Sequence, residues 1–197
     1  MENSSFAVVD IETTGLSRHR DRITEFSGVI LRWNDSSKRY DTLNELSTLI
    51  NPGIRIPAFI THLTGITNNM VKDAPAFGDV ASDIREFIGD NVFVAHNATF
   101  DYNFLDFNFK DNGMDELLND ALCTCKLSRR LVPCLSSYKL GSVCNHFSIE
   151  NRQAHRAMGD VLATRDVLNE LYKYMKMRNI ESIKDALKFQ KSKIVRS

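Results

Sequence analysis

An apolar run near the start of the chain is interrupted by two acids at alternate positions. The run FAVVDIE over residues 6–12 is mostly apolar and β-branched, which predicts a strand buried on both faces. Side chains two residues apart on a strand point to the same face, so the carboxylates of Asp10 and Glu12 are expected to meet. Two anions held together are costly unless a cation joins them. The alternative is a strand that simply ends here, with both acids in water.

Two further β-rich segments follow, over residues 23–33 and 40–50, with the turn residues NDSS between them. Together with the first strand they predict an antiparallel meander. A polar, mostly basic loop over residues 17–22 is expected to join the first two strands.

The rest of the chain alternates helical patterns with short strands. Residues 92–96 predict a strand that leads into a helix over residues 99–109, and its long helical connection to the meander favours parallel pairing beside the first strand. A further strand is predicted over residues 121–125. Other helices are predicted over residues 57–63, 76–88, 126–131, 138–147, 155–175 and 180–188. The sum is an α/β layer fold, a mixed sheet flanked by helices.

The domain organisation follows from the absence of any internal repeat, linker or low-complexity segment in the sequence. We expect one domain over residues 1–175, followed by a short helical, basic C-terminal tail over residues 176–197.

Composition and charge narrow the function classes. The 25 basic and 25 acidic residues cancel, so the chain has no net positive charge that would attract a long nucleic-acid duplex. Any contact with nucleic acid is therefore expected to be local. No segment contains the roughly eighteen consecutive apolar residues of a membrane span, and the first residues lack the features of a signal peptide. We therefore expect a cytoplasmic protein with no membrane contact.

The four cysteines, Cys123, Cys125, Cys134 and Cys144, lie in one short region. The simplest interpretation is reduced thiols packed as small hydrophobic side chains. A sharper alternative is a zinc site formed by Cys123, Cys125, Cys144 and His146, although its C-x-C and C-x-H spacings are tighter than usual.

Three residues outside the first strand add candidate chemistry. Asp101 falls in the first turn of its predicted helix, and His155 and Asp160 fall near the start of the predicted long final helix. Residues five apart on a helix differ by about 140° in direction, which suits one residue binding an ion while the other works beside it. These positions at strand ends and helix starts are where α/β sheets usually place their sites.

The motifs that contain these residues resemble the DEDDh 3′–5′ exonucleases. That family includes the proofreading exonucleases of bacterial DNA polymerase III, both the epsilon subunit and the PolC-type domain. The motifs are DIETTGL at residues 10–16, VAHNATFD at 94–101 and HRAMGD at 155–160, with LTGIT at 63–67 and SYKL at 137–140 also matching. One such motif is weak, but all of them in order are specific. The resemblance implies a ribonuclease H-like fold with a mixed five-stranded sheet flanked by helices.

The resemblance also implies the roles of the acids and the histidine. Asp10, Glu12, Asp101 and Asp160 would hold two divalent ions, Mg²⁺ or Mn²⁺, and His155 would be the general base. Hard oxygen ligands suit these ions, and two of them can activate a water and stabilise the leaving 3′-oxygen. A histidine, with an ordinary pKa of about 6.5, suits removal of a proton from that water. The implied reaction releases nucleoside 5′-monophosphates from the 3′ end of single-stranded DNA, in proofreading or repair.

Five substrate-binding residues are implied by the same resemblance. Thr13 and Thr14 would lie against the terminal nucleotide, Leu16 would wedge beside its base, and Asn97 and Phe100 would border the same cleft. For Phe100 the alternative is packing in the core.

Two rival functions stay open at the level of the sequence. One is a 3′–5′ exoribonuclease that trims short RNAs or tRNA ends, because no residue reveals how the cleft treats a 2′-hydroxyl. The other is a non-catalytic module that binds nucleic acid. The expected partner is the 3′ end of a single strand, DNA in preference to RNA, and a DNA polymerase subunit is a second candidate partner.

Overall fold

A mixed five-stranded sheet forms the centre of the protein, in a computed structural model that describes residues 1–151 and 154–194. Its strands are β1 (Phe6–Thr13), β2 (Ile23–Asn34), β3 (Arg39–Leu49), β4 (Val92–Ala95) and β5 (Ala121–Cys123). Their order across the sheet is β3-β2-β1-β4-β5. The first three strands form an antiparallel meander, and β4 and β5 join it in parallel pairing. The predicted α/β fold with a mixed, helix-flanked sheet is confirmed.

Helices cover both faces of this sheet. Within the described residues they are α1 (Ala58–Thr64), α2 (Asn68–Val71), α3 (Phe77–Ile88), α4 (Thr99–Asp111), α5 (Thr124–Leu131), α6 (Leu140–His146), α7 (Ala157–Lys176) and α8 (Ile183–Phe189). All except α2 overlap a predicted helix. The single turn of α2 is capped by Thr67, whose side chain accepts a hydrogen bond from the backbone of Met70.

The alternation of side chains along β1 divides the core into two layers. Phe6 and Val8 pack with residues of α7, whereas Ala7 packs on the opposite face with residues of α3 and α4. All three are completely buried, as the apolar run predicted. Asp10 and Glu12 continue the alternation of Phe6 and Val8, which places both acids on the α7 side of the sheet.

The end of β1 projects beyond its parallel neighbour. Pairing between β1 and β4 runs from Phe6 to Val8, so the second half of β1 has no strand on that side. The chain leaves β4 through residues 96–98 and enters α4 at Thr99. The start of α4 consequently lies beside the two acids of β1, as at the strand ends of other α/β sheets.

Helix α7 begins two residues later than the sequence predicted. Its first residue is Ala157, and His155 lies outside the helix with a φ of 64°. The expectation that His155 and Asp160 project from one helix was therefore wrong. A left-handed residue cannot continue a right-handed helix, so the histidine belongs to the preceding loop.

The C-terminal segment packs against the edge of the sheet. The side chain of Gln190, just after α8, accepts a hydrogen bond from the backbone N–H of Cys123 and donates one to the carbonyl of Ala121, each at 2.8 Å. Ala186 within α8 is completely buried. The predicted domain boundary at residue 175 stays a prediction, although residues beyond it pack onto β5.

None of the helices in the described part of the chain combines the length and the apolar character that crossing a bilayer requires.

Candidate active site

Three carboxylates converge where β1 meets α7. Strand β1 supplies Asp10 and Glu12, and the first turn of α7 supplies Asp160. One carboxylate oxygen from each lies within 4.8 Å of the others. All three side chains are partly buried, so they are partly shielded from water. Oxygen donors this close together can share a divalent cation.

The fourth predicted acid joins this group through the backbone of β1. Asp101 is only 3% exposed, and its Oδ1 accepts a hydrogen bond from the N–H of Ile11 at 3.3 Å. Ile11 lies beyond Val8, the last residue of β1 that pairs with β4. The Asp101 carboxylate thus accepts a hydrogen bond from a backbone N–H in the part of β1 that does not pair with β4. Asp101 is outside the three-carboxylate cluster but lies close enough to raise the pKa of Asp10.

The electrostatics of the site favour a cation. Burial raises the pKa of Asp10 well above its ordinary range, and the neighbouring Asp101 and Glu12 raise it further. Burial, with the charges of Asp160 and Glu25 next in importance, raises the pKa of Glu12 to about 8. Burial also raises the pKa of Asp101 to about 7, against the opposing effect of its backbone hydrogen bonds. Crowded, buried oxygen donors of one charge sign fit Mg²⁺ or Mn²⁺ as the compensating group.

The carboxylate of Asp160 accepts hydrogen bonds from two residues that precede α7. Its Oδ1 accepts a hydrogen bond from Asn151 Nδ2 at 2.6 Å, and its Oδ2 accepts one from the backbone N–H of His155 at 3.1 Å. His155 is exposed beside the cluster. Its assignment as general base stays a prediction. Asn151 was not predicted from the sequence, because its contact with Asp160 depends on tertiary structure.

A further buried acid, which was also missed, lies beside Glu12 on the neighbouring strand. Glu25 on β2 pairs with Glu12 across the antiparallel register and is 3% exposed. Its Oε1 accepts a hydrogen bond from Arg156 Nη2 at 2.7 Å, and its Oε2 accepts one from Arg156 Nε at 3.3 Å. Oε2 also accepts the backbone N–H of Ala157 at 3.0 Å. The sequence signal for Glu25 was an acid within a mostly apolar strand, because acids that are buried in proteins nearly always have a partner.

A cleft of about 400 Å³ contains three of the five predicted substrate-binding residues, Leu16, Asn97 and Phe100. Leu16 is 86% exposed, which is unusual for a leucine and leaves its side chain available to a ligand. Phe100 is partly buried, with its ring 4.9 Å from that of Phe104. Arg18 also lines the cleft. That these residues contact substrate stays a prediction.

The other two predicted substrate-binding residues lie at the end of β1 and at the start of the turn that follows it. Thr13 and Thr14 are 7% and 2% exposed. The Thr13 hydroxyl donates to the carbonyl of Gly15 at 2.6 Å, and the Thr14 hydroxyl accepts from the N–H of Arg22 at 3.0 Å. Their side chains therefore stabilise the turn that presents Leu16. Direct contact of either threonine with a nucleotide stays a prediction.

The proposed zinc ligands do not meet. Cys123 packs on the α3 and α4 side of the sheet, whereas Cys144 packs on the α7 side. Cys125 donates from its Sγ to the carbonyl of Tyr138 at 3.4 Å. All four cysteines are free thiols. Cys123 and Cys144 are buried, as the simpler interpretation predicted, whereas Cys125 is partly buried and Cys134 is exposed.

Comparison with known proteins identifies the family. The RNase_T family model, described as an exonuclease, matches residues 7–168. The chain is 39% identical over 174 residues to the PolC-type DNA polymerase III of Clostridium perfringens and 37% identical over 174 residues to that of Bacillus subtilis. Each match covers 88% of this chain but 12% of the polymerase. The chain thus corresponds to one small segment of these relatives.

Solved structures support the fold independently. Exonuclease X in complex with 5′ overhanging duplex DNA has a TM-score of 0.71 at 24% identity, covering 94% of this chain and 99% of that chain. Exonuclease I of E. coli in complex with a dT13 oligonucleotide has a TM-score of 0.77 at 20% identity, covering 90% of this chain and 43% of that chain. At these identities the likeness establishes the shared fold.

Proposed function

Because the chain belongs to the RNase_T exonuclease family, we propose that it is a metal-dependent 3′–5′ exonuclease that removes nucleotides from single-stranded DNA. The proposal is carried by one observation: three carboxylates from β1 and α7 lie within 4.8 Å of one another. Binding alone would not need a buried cluster of like charges, whereas phosphodiester hydrolysis by two metal ions does.

In this proposal the four acids are the metal ligands, and Asp101 has a second role. Asp10, Glu12 and Asp160, with Asp101, would hold two divalent ions, Mg²⁺ or Mn²⁺, which when bound supply Lewis-acid activation of a water and stabilise the leaving 3′-oxygen. Asp101 also fixes the β1 backbone through Ile11, so the donors from β1 and α4 are held in one arrangement.

The remaining residues hold the substrate and move the proton. His155 lies exposed next to the cluster, with its backbone tied to Asp160, and would accept a proton from the attacking water. Leu16 would pack against the terminal base, while Asn97 and Phe100 would line the other side of the cleft. Thr13 and Thr14 would lie against the terminal nucleotide, and their hydroxyls stabilise the turn that carries Leu16.

The substrate class follows from charge and from the relatives. A chain with no net charge neutralises few phosphates at once, which favours a short unpaired 3′ end over a long duplex. The relatives are named as DNA polymerases, which favours DNA over RNA and suggests proofreading beside a polymerase in the cytoplasm. Because the chain spans 12% of these relatives, the polymerase partner is part of the proposal.

The test uses single strands of identical sequence, one DNA and one RNA, each labelled at its 3′ nucleotide. Release of labelled mononucleotide is measured with Mg²⁺, with Mn²⁺ and with chelator. We expect metal-dependent release from DNA far faster than from RNA. Asp10→Ala should abolish release, whereas Asp83→Asn, which alters an exposed acid on α3, should leave it unchanged.

Each other result has a defined meaning. Faster release from RNA would replace the DNA assignment with exoribonuclease activity at the same site. Release from neither strand under any metal condition would contradict the catalytic proposal and favour a nucleic-acid-binding module. Cleavage of blunt duplex at the same rate would contradict the single-strand preference.

A further inference from the structure

The carboxylate cluster is assembled from segments that are far apart in the sequence. Asp10 and Glu12 belong to β1, whereas Asp160 and the preceding His155 belong to the region around the start of α7. Packing of apolar side chains holds α7 on the sheet, but apolar contacts are non-directional. A helix that slides or rotates slightly would move Asp160 relative to the β1 acids. A directional contact near the start of α7 is needed to fix its position.

Glu25 provides that directional contact. Its carboxylate is almost completely buried and accepts three hydrogen bonds, two from the Arg156 guanidinium and one from the Ala157 N–H. The first N–H groups of a helix lack partners within the helix, and the positive end of the helix dipole attracts an anion. Glu25 thus caps α7 from a neighbouring strand, although Arg156 itself makes no side-chain cap.

The capped residues lie within one turn of the predicted metal ligand. The N–H of Asp160 donates to the carbonyl of Arg156 at 3.1 Å, and the carboxylate of Asp160 accepts from the N–H of His155. Residues 155–160 are thereby held as one unit through Arg156 and Ala157. We infer that Glu25 is a positioning residue, which sets the location of Asp160 and His155 relative to β1 through its contacts with Arg156 and Ala157.

This inference rests on the proposed function but assigns Glu25 a role distinct from that of a ligand. Both of its oxygens are engaged by Arg156 and Ala157, whereas Glu12, directly opposite on β1, contributes to the carboxylate cluster. The competing explanation is that Glu25 only stabilises the fold. A buried charge pair is weak support for stability by itself, so the two explanations must be separated by experiment.

The matched control is a second polar clamp on the same helix. Asn169 accepts a hydrogen bond from the N–H of Tyr40 at 2.7 Å and donates one to its carbonyl at 3.0 Å, which ties α7 to β3. Asn169 is 7% exposed and lies nine residues beyond Asp160. Its removal should weaken the attachment of α7 without changing the start of the helix.

The experiment compares Glu25→Ala, Glu25→Gln and Asn169→Ala. For each folded variant, kcat and KM are measured on the 3′-labelled DNA strand, and Mn²⁺ affinity is measured by calorimetry without substrate. We expect Glu25→Ala to lower kcat and Mn²⁺ affinity by about 10- to 100-fold with little change in KM, as for other supports of metal ligands. Glu25→Gln should recover part of both losses, because its amide oxygen still accepts the Ala157 N–H. Asn169→Ala should lower the melting temperature but leave kcat and Mn²⁺ affinity unchanged.

Two results would overturn the inference. One is a folded Glu25→Ala protein with wild-type kcat and Mn²⁺ affinity, and the other is an equal loss in Asn169→Ala. If Glu25→Ala does not fold, Glu25→Gln decides the question, because it keeps the side-chain volume and leaves no unpaired charge in the buried position. A folded Glu25→Gln protein with wild-type kcat and Mn²⁺ affinity would then overturn the inference. A wild-type protein that binds Mn²⁺ but cuts no strand would refute the proposed function while the Mn²⁺ affinities still test Glu25. A wild-type protein that binds no Mn²⁺ would overturn both.

Discussion

Asp101 Oδ1 accepts a hydrogen bond from the backbone N–H of Ile11, the residue that separates the two acids of β1. This contact joins the first turn of α4 to the strand at the point where the strand extends beyond β4. Asp101 therefore has two roles that can be tested separately. It accepts a hydrogen bond from the backbone of β1, and it places a negative charge beside the carboxylate cluster.

Substitution of Asp101 should separate these properties. Asp101→Asn keeps an oxygen for the Ile11 N–H but removes the charge, so we expect a large loss of exonuclease rate with stability retained. Asp101→Ala leaves the buried N–H unpaired and should also lower the free energy of unfolding by about 1–3 kcal/mol. Urea denaturation and rate measurement on both variants check this. Equal stability of the two would show that the hydrogen bond to Ile11 contributes little.

Loss of a ligand should be at least as damaging as loss of the base. His155→Ala is expected to lower kcat by about 10²–10⁴-fold, the usual cost of removing general-base catalysis. Asp10→Ala disturbs one or both metal ions, and so removes both nucleophile activation and charge stabilisation. Single-turnover rates on labelled DNA give the comparison. An Asp10→Ala protein with a tenth of the wild-type rate would contradict the assignment of the site.

Metal binding should release protons and strengthen as pH rises. The pKa of Glu12 is about 8 and that of Asp101 about 7, mainly because both groups are buried, so near neutral pH a cation must displace protons from them. We expect Mn²⁺ affinity to increase between about pH 6 and pH 8. Calorimetry in two buffers of different ionisation enthalpy measures the protons released. Glu12→Gln should release fewer, and an unchanged proton count in that variant would refute the titration of Glu12.

The same groups predict how stability depends on pH when a chelator removes metal. Their folded pKa values lie above those of exposed acids, so the folded state binds more protons than the unfolded state between the two values. The resulting stability is fully present below about pH 4 and is lost as pH rises to about 8. Thermal unfolding across this range tests the sign. Saturating Mn²⁺ should reverse the trend, because the bound ion favours the ionised acids.

The exposed leucine of the cleft should affect substrate binding and not stability. Leu16→Ala is expected to raise KM severalfold with a small change in kcat, since a packing contact present before and during the reaction is lost. Its melting temperature should be unchanged, because the side chain is 86% exposed. Leu43→Ala on β3 is the matched control, at a leucine that is 62% exposed. An identical KM effect in both variants would show that the cleft is not involved.

Local periodicity predicted most of the fold and the location of the β1 acids. The two-residue alternation over residues 6–12 was sufficient to place Asp10 and Glu12 on one face, and the family match confirms the resemblance that the motifs indicated. The start of α7 was not predictable in this way. Residues around His155 are compatible with a helix, and the actual start is capped by Glu25, 132 residues before Ala157. Asn151 and Glu25 were not predicted for the same reason, because only the tertiary fold brings their partners to them.

The contact of Gln190 with β5 has a consequence for the behaviour of the protein in solution. Strand β5 ends the sheet, and the glutamine amide satisfies an outward N–H at Cys123 and an outward carbonyl at Ala121. An uncovered strand edge is a template for pairing with another chain. A protein shortened to the predicted boundary at residue 175 would expose this edge. We therefore expect such a protein to self-associate during purification even though its active-site acids are intact.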